Sequence, residues 1–418
     1  MQSTQVYPHE YLVNESFSLL SRIAQLKPFS MTMPMVKGAS VSASALKEIT
    51  ELLENGKKVL YASIKKFIHK VRDVQEQEYD AKDLQGEFTL LKMRYNSILD
   101  QLDIFADVLS QRAEHGVGIW LSGLDVLAED GLSIGKPFFE PPPLMVFLER
   151  GHGAAIRRAR TRLPGGDLNP VAVIQIPRER MVGSGIASSL IHEVGHQAAE
   201  SLELTKSIRT VLNEKLAGNI AGSNAWKCYE RWISEILADY WAMGHLGITA
   251  SLGLMGVVTL PSYFQFRLDL TDPHPAPYMR VKISCAFGQS MFPHVQWDRI
   301  WKMWQLFYPT EGLPKEKTDL LDELNEHLDE FVALVNNHRA ASLKGKRLVD
   351  IFPIAERQPQ QLKQLYRLWK KDKSLMDKAA PTLVFAVLGQ AKSDLIMHAN
   401  DESAMLAQLL RNWAYNRK

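Results

Sequence analysis

Two histidines four residues apart constrain the fold of this chain more than any other feature of its sequence. They lie in the segment Ile191-His192-Glu193-Val194-Gly195-His196. On a helix, residues at this spacing project from one face, one turn apart, so both imidazoles could bind a single metal ion. The preceding residues, 184–190, contain no proline that would interrupt a helix. The sequence therefore predicts a helix that presents two metal ligands, and the competing interpretation is a buried helix whose histidines are satisfied by hydrogen bonds.

Glu193 follows the first histidine and could reach an open coordination position of the metal without being a ligand. A carboxylate in that place can take a proton from a metal-activated water and pass it to a leaving amine. These residue types predict hydrolysis with Glu193 as general base and Zn²⁺ as the cofactor. Because catalytic zinc has three protein ligands, the prediction requires a third ligand elsewhere in the chain.

Three arrangements could supply the third ligand, and two of them fail. The extended H-E-x-x-H-x-x-G-x-x-H pattern needs a glycine and a second histidine where this chain has Ala199 and Leu202. Glu200 would lie on the same helix in a row with both histidines, and three ligands in a row cannot converge on a tetrahedral centre. The remaining arrangement takes a glutamate from a separate downstream helix, for which the candidates are Glu214, Glu230 and Glu235.

Glu235 is the predicted third ligand because of the residue four positions later. Asp239 would share its helix face and could accept the second N–H of a ligand histidine, which fixes the tautomer and raises the basicity of that ring. Glu214 has Gly218 at the same offset and therefore no such partner. The apolar neighbours of Glu235 indicate a buried face, and the competing interpretation is an ordinary solvated helix face.

A proline-rich segment further along the chain, Asp272-Pro273-His274-Pro275-Ala276-Pro277-Tyr278-Met279-Arg280, adds two candidates. The flanking prolines limit the conformations open to His274, so holding it in place costs little entropy. A histidine near the metal could stabilise the oxyanion that forms when water attacks a carbonyl. Arg280 could pair with Glu235 or Asp239. Taken alone, the segment would be only a proline-rich loop.

The order of H-E-V-G-H, E-I-L-A-D and D-P-H-P-A-P-Y-M-R resembles that of the gluzincin zinc metallopeptidases. The similarity is closest to the branch of the CAAX prenyl proteases and the bacterial heat-shock metalloproteases, and it covers residues 170–285. The resemblance implies a zincin-like metallopeptidase core. It also implies these roles: zinc ligands His192, His196 and Glu235, general base Glu193, transition-state stabiliser His274 and its structural partner Arg280.

The resemblance further implies how a polypeptide substrate would bind. In gluzincins an edge strand ahead of the zinc helix binds extended peptide by strand addition. Residues 171–176, with the sequence VAVIQI, are the candidate strand, and Val171, Val173 and Gln175 are its candidate substrate-binding residues. The alternative is that this run is a buried core strand.

The rest of the chain is predicted to form helical flanks around a mixed core. Residues 44–74 have apolar side chains at helical spacing, and from Leu84 to Leu109 the apolar steps alternate between four and three, which is a heptad pattern. A charged break at 75–83 separates these two helices and favours an antiparallel hairpin. Its seam is interpreted as intramolecular packing, with a partner-binding coiled coil as the alternative.

Glycines and prolines become frequent after Gly116, and strand-like runs lie at 144–148 and 171–176. Helical patterns follow at 184–204, 226–243 and 247–260 and return after 293. We therefore predict an α+β, predominantly helical fold. It comprises an N-terminal helical region at 1–115, a mixed core with a small sheet at 116–290 and a C-terminal helical region at 291–418, and the resemblance implies that the core is zincin-like.

Composition excludes several classes of protein. Lys and Arg number 49 against 47 Asp and Glu, and this net charge of +2 argues against a nucleic-acid or polyanion partner. Two cysteines are too few for a disulfide framework or a cysteine-rich zinc site. The most apolar run, 246–260, is shorter than the ~20 residues that span a bilayer, and no Sec signal begins the sequence. We expect a soluble, cytoplasmic protein without an integral membrane segment, with export by a non-Sec route as an alternative.

The leading hypothesis is thus a soluble zinc-dependent endopeptidase that cleaves polypeptide substrates through a metal-activated water. One alternative is an exported effector or toxin protease of narrow specificity. Another is a non-proteolytic, zinc-stabilised scaffold. In any of these cases the helical flanks could bind a protein partner.

Overall fold

A computed structural model describes residues 6–73, 80–149, 153–178, 183–218, 222–269 and 271–417. It is predominantly helical and has one three-stranded sheet, so the predicted α+β class is confirmed. The strands are β1 (Leu144–Glu149), β2 (Ala155–Arg157) and β3 (Ala172–Pro177). The helices are α1 (Val6–Gln25), α2 (Phe29–Thr32), α3 (Ala43–Asp73), α4 (Ala81–Ser110), α5 (His115–Ser133), α6 (Gly185–Ser201), α7 (Leu204–Ala217), α8 (Ser223–Leu246), α9 (Ile248–Val258), α10 (Ser262–Gln265), α11 (Pro277–Met291), α12 (Gln296–Phe307), α13 (Lys315–Asn337), α14 (Pro359–Lys371), α15 (Ser374–Asp377), α16 (Pro381–Ser393) and α17 (Ala399–Asn416).

The predicted N-terminal hairpin is formed by α3 and α4. Phe67 packs on Phe88 with ring centroids 5.8 Å apart, and Gly56 lies against Ile98, so the two helices run antiparallel. The heptad residues of α4 pack against α3 and α1 or against the sheet, and all except the half-buried Leu91 are buried. The seam is therefore used within the protein, which confirms the interpretation as intramolecular packing. Val74, at the predicted end of the first helix, lies outside the described residues.

The sheet has the order β1-β3-β2, with β1 parallel and β2 antiparallel to β3. Alternate residues of β3 point to opposite faces, as the period of two requires. Val173 packs towards α4, whereas Ile174 and Ile176 belong to the cluster around α5 and α6. Both faces of the sheet are therefore covered by helices, which explains the nearly continuous apolar run in β3.

The predicted substrate-binding edge at Val171, Val173 and Gln175 is wrong. β3 is the central strand and pairs with a neighbour on each side, so it has no free edge along residues 173–175. Val171 and Val173 are buried and Gln175 is half-buried. The alternative of a buried core strand is confirmed, and the sheet edge on the α6 side is formed by β2.

The middle and C-terminal regions share one continuous cluster of buried side chains that extends from Leu121 to Trp413. α17 packs on α5, and α16 packs on α8 and α9. The predicted boundary at residue 290 therefore does not coincide with a separate hydrophobic core. α9 is the buried helix expected within residues 246–260. Across the described residues, no helix combines the length and the apolar character needed to cross a bilayer.

A buried cluster of charges joins three distant parts of the chain. Arg112 donates two hydrogen bonds to Asp125, at 3.0 and 3.1 Å, and both side chains are fully buried. Arg417 Nη1 donates to the same carboxylate at 2.8 Å, and the amide of Val146 on β1 donates to it at 2.8 Å. The Asp125 carboxylate on α5 therefore ties the end of α4, the first strand and the C-terminal helix together.

The N-terminus of α6 is capped by a residue from the C-terminal helix. Glu402 on α17 is fully buried, and its Oε1 accepts a hydrogen bond from the amide of Ser184 at 3.3 Å. Its Oε2 accepts from Lys392 Nζ at 2.9 Å. The side chain of Ser184 makes no capping bond of its own. A carboxylate at this place satisfies an amide that has no partner within the helix and lies at the positive end of the helix dipole.

Replacing Glu402 with alanine should lower the free energy of unfolding by about 1–3 kcal/mol, because a buried amide loses its acceptor. Urea denaturation of the two proteins measures this difference. Asp401→Ala is the matched control, since it removes an exposed carboxylate from the same turn of α17 and should cost less than about 1 kcal/mol. Equal losses in the two variants would show that the cap contributes nothing specific.

Candidate metal centre

The site is built where α6 crosses α8, and Gly195 allows the two helices to approach closely. A Cβ atom at this position would lie 2.8 Å from Cβ of Trp241 and 2.9 Å from both Cα and the carbonyl oxygen of Ala238. Contacts this short are not tolerated, and the neighbouring atoms are backbone or the root of a side chain. The glycine between the two histidines therefore sets the separation between α6 and α8.

Three side chains from these helices converge as the sequence predicted. His192 Nε2 lies 3.4 Å from Glu235 Oε2, and His196 Nε2 lies 3.3 Å from Glu235 Oε1. All three potential ligand atoms lie within 4.8 Å of one another. The side chains are 13%, 15% and 14% exposed, so the cluster is largely buried but open on one side. His192, His196 and Glu235 could therefore hold a metal ion.

Asp239 and Arg280 support this cluster from behind. His192 Nδ1 lies 2.7 Å from Asp239 Oδ1, which leaves Nε2 facing Glu235. Arg280, in the first turn of α11, donates from Nε to Asp239 Oδ2 at 2.6 Å and from Nη2 to Oδ1 at 3.0 Å. The same Nη2 donates to Glu235 Oε2 at 3.3 Å. The arginine thus pairs with both carboxylates that the sequence offered as alternatives.

The buried charges shift the pKa values of the group in opposite directions. Burial alone would lower the pKa of His192, but the carboxylates of Asp239 and Glu235 outweigh it and raise that pKa to about 10. Burial opposes ionisation of Glu235, yet hydrogen bonds from both histidines and the charge of Arg280 hold its pKa well below the usual range. The pKa of Asp239 is also lowered, since burial is overcome mainly by Arg280 and then by His192. Both carboxylates are therefore ionised at neutral pH.

Glu193 lies in the cleft beside the three candidate ligands. Its side chain is 6% exposed, and its carboxylate makes no hydrogen bond to any described residue. Burial raises its pKa, against the opposing effect of His192 and His196. A buried carboxylate that is not engaged by the protein is available to a bound water or substrate, as a general base requires.

His274 is at the rim of the cluster. Its Nε2 lies 3.9 Å from Glu235 Oε1, and the side chain is 58% exposed. Asp272 Oδ1 accepts from the His274 amide at 2.9 Å and lies 3.0 Å from its Nδ1, so this carboxylate orients the ring. Arg231 on α8 donates from Nη2 and Nε to the carbonyl oxygen of Thr271, at 2.6 and 3.1 Å. The loop is thus fixed to the helix that carries Glu235.

A cleft of about 480 Å³ opens over the cluster. One wall is formed by residues 153–156 and Arg158, another by Ser188 and Ser189 of α6, and a third by Leu254 and Val257 of α9. A larger cleft of about 820 Å³ lies between α11, α12 and α13 and is lined by other residues. The smaller cleft is the functional candidate because it contains the convergent polar groups.

Sequence reasoning missed several residues that shape the site. The sequence pattern points to the prolines of the His274 loop, whereas the structure shows that Asp272 and Arg231 also hold it. The Asp-x-His spacing is typical of an aspartate that binds the amide two residues later, and this signal could have identified Asp272. β2 contributes a wall of the cleft, but its three residues carry no periodic pattern. The rival ligands lie elsewhere: Glu230 pairs with Arg209 at 2.7 Å, and Glu214 is on α7 outside the cluster.

Comparisons with protein-family models, curated proteins and solved structures find no match to this chain. The gluzincin resemblance therefore stays a prediction.

Replacing Glu235 with alanine should weaken zinc binding by more than about 100-fold. Loss of a residue that only orients a metal ligand already weakens binding by about 10–100-fold, and loss of a ligand itself should cost more. Metal analysis after dialysis and titration with a zinc indicator measure this change. Glu214→Ala and Glu230→Ala are the controls, since each removes a rejected candidate ligand. Full zinc content in Glu235→Ala would remove Glu235 from the ligand set.

Replacing Gly195 with alanine should force α6 and α8 apart and thereby separate the two histidines from Glu235. We expect a loss of about 1–3 kcal/mol in the free energy of unfolding and zinc binding weakened by about tenfold or more. Gly185→Ala is the matched control on the same helix, where a Cβ has no neighbour within 4 Å. Unchanged zinc affinity in Gly195→Ala would show that the close helix contact does not position the ligands.

Proposed function

We propose that this chain is a zinc-dependent endopeptidase with a zincin-like core. The observation that carries the proposal is the convergence of His192, His196 and Glu235 beside the unengaged carboxylate of Glu193. The H-E-x-x-H, E-x-x-x-D and His-Pro order that resembles the gluzincins supports the same conclusion.

The chemistry of the donor set fits zinc. Two imidazoles and one carboxylate are a common protein ligand set for catalytic zinc, and the Asp239 carboxylate behind His192 is the usual outer partner of a zinc-binding histidine. When both histidines are neutral, the ionised carboxylates of Glu193, Glu235 and Asp239 carry three negative charges, and the guanidinium of Arg280 carries one positive charge. Two negative charges are then left for a divalent cation to balance. When bound, zinc supplies Lewis-acid chemistry, which makes water more acidic and polarises a carbonyl oxygen.

Glu193 supplies the proton transfer in the proposed reaction. Its carboxylate would remove a proton from the attacking water and later give that proton to the amine that leaves. Burial raises the pKa of Glu193, so the group accepts a proton more readily than an exposed glutamate would. This role needs no ligand bond from Glu193, which agrees with its place in the cleft beside the cluster.

His274 and Arg280 have separate roles in this proposal. His274 lies at the mouth of the cluster with its Nδ1 held by Asp272, so its Nε2 faces the site. In the imidazolium form, in which both ring nitrogens are donors, Nε2 would donate to a developing oxyanion. Arg280 is paired with Asp239 and Glu235 and therefore acts through them. It positions the carboxylates that in turn hold His192 and the proposed ion.

The free edge of β2 offers a way to bind extended polypeptide. Ala155 and Ile156 line the cleft next to the candidate ligands, and β2 is an edge strand among the described residues. Unpaired backbone groups on an edge strand can pair with an added peptide strand. The peptide bond to be cleaved would then pass over His192 and His196.

The open cleft supports a catalytic site over a structural one. Structural zinc sites are closed by four protein ligands, whereas catalytic sites keep one position for water or substrate. The cluster in the described chain has three candidate ligands and opens on a cleft of about 480 Å³. A site that only stabilised the fold would also have no use for a buried carboxylate such as Glu193.

Replacing Glu193 with glutamine should leave zinc binding unchanged and lower the rate of peptide hydrolysis by about 10²–10⁴-fold, since only the proton acceptor is lost. The measurements are zinc content and the rate of cleavage of a diverse pool of peptides, followed by mass spectrometry.

Glu203→Gln is the control for this variant, because Glu203 is exposed just beyond the end of α6. It should retain both zinc and activity. Cleavage by Glu193→Gln at the wild-type rate would contradict the proposed mechanism, and loss of zinc from this variant would contradict the separation between ligand and base.

A further inference from the structure

The segment that begins with β2 concentrates positive charge next to the cleft. Residues 153–169 contain four arginines, at 157, 158, 160 and 162, and one acidic residue, Asp167. Four positive charges less one negative charge give a net charge of +3 for this short segment, compared with +2 for the entire chain. The near-neutral overall charge therefore conceals a strongly basic edge.

Three of these arginines are not neutralised by the protein. Arg157, Arg160 and Arg162 are exposed, and none forms an ion pair with a described residue. Arg157 is in register with Val173 and lines, with Asp107 and Glu149, the groove on the α4 face of the sheet, so it points away from the cleft over the candidate ligands. Exposed guanidinium groups without an acceptor are available for carboxylates or phosphates of a ligand.

The fourth arginine fixes the segment along α6. Arg158 Nη1 donates to Glu200 at 2.9 Å, and the amide of Ala159 donates to Gln197 Oε1 at 2.8 Å. Glu200 is one helical turn beyond His196, while residues 153–156 line the cleft beside both histidines. Residues 153–156 therefore lie beside the candidate ligands, and Arg158 lies beside the next turn of α6.

The backbone continues beyond β2 as a hairpin that carries the remaining arginines. The amide of Arg160 donates to Asn169 O at 2.7 Å, and the amide of Leu163 donates to Asp167 O at 2.8 Å. Arg160 itself has a left-handed backbone, with φ of 65°. Arg160 and Arg162 therefore lie on a hydrogen-bonded hairpin that continues the basic edge beyond the cleft.

We infer that the polypeptide bound at this site carries acidic side chains, either carboxylate or phosphorylated, on one side of the bond to be cleaved. The inference rests on the proposed function, because it assigns the substrate class of that same cleft. One helical turn from His196 to Glu200 is about 6 Å, which an extended peptide spans in about two residues. The acidic residues would begin about two positions from the cleaved bond and face Arg160 and Arg162.

The test compares short peptides with identical centres and three kinds of flank: Asp/Glu, phosphoserine and Asn/Gln. Binding is measured by fluorescence anisotropy with the zinc-loaded Glu193→Gln protein, and kcat/KM is measured with the wild type. Two exposed ion pairs of ordinary strength correspond to a preference of about fivefold for acidic over neutral peptide. Raising the salt from about 0.05 M to about 0.5 M should remove most of it, because exposed charges are screened.

The double variant Arg160→Gln and Arg162→Gln should bring the ratio of acidic to neutral binding close to one. The matched control is Arg367→Gln and Arg411→Gln, which removes two exposed, unpaired arginines from α14 and α17. This control lowers the net charge equally and should keep the preference. The carboxylate and phosphoserine arms show which acidic group the edge prefers.

Several outcomes would overturn the inference. It is wrong if wild type shows no acidic preference, if the control double variant loses the preference equally, or if an oligonucleotide of equal charge binds as tightly as the acidic peptides. Cleavage of neutral and acidic peptides at equal rates would leave the proposed endopeptidase intact. Arginine-dependent binding of acidic peptides without any cleavage by wild type would instead contradict the endopeptidase and retain the binding surface.

Discussion

The close contact between α6 and α8 is the constraint on which the rest of the site depends. Two histidines on one helix cannot form a three-ligand site, so the second helix must approach until Glu235 meets both rings. Gly195 makes that approach possible because Trp241 and Ala238 occupy the space that a side chain would need. The same residue spacing that places both histidines on one face also turns this glycine towards α8.

The charges at this contact depend on one another. Ionised Glu235 and Asp239 would be costly to bury alone, and Arg280 compensates them with hydrogen bonds to both. Asp239 also fixes His192, so one arginine sets the orientation of an entire row of side chains. With neutral histidines, as metal ligands must be, the arrangement leaves excess negative charge on the cleft side, where Glu193 lies, and that asymmetry suits a cation with an open coordination position.

Local sequence patterns predicted the candidate ligands, whereas they did not predict strand pairing or contacts between distant parts of the chain. The i, i+4 spacings of His192/His196 and Glu235/Asp239 translate directly into helix faces, so ligands and support could be assigned from the sequence. The apolar run in β3 does not say whether the strand is central, because helices on both faces hide any alternation. The edge position belongs to β2, and only its pairing with β3 reveals it. Glu402 lies 218 residues from Ser184, and no local signal could link them.

The C-terminal helices belong to the architecture of the cleft. Glu402 caps the helix that carries His192, and Gly389 of α16 allows Thr249 of α9 to approach and donate to Phe385 O at 3.2 Å. α9 supplies an apolar wall of the cleft. Residues 116–290 contain every candidate ligand, yet they lack the cap and the support of that wall. The candidate site is therefore local in sequence, while some of the contacts that support it come from the C-terminal third of the chain.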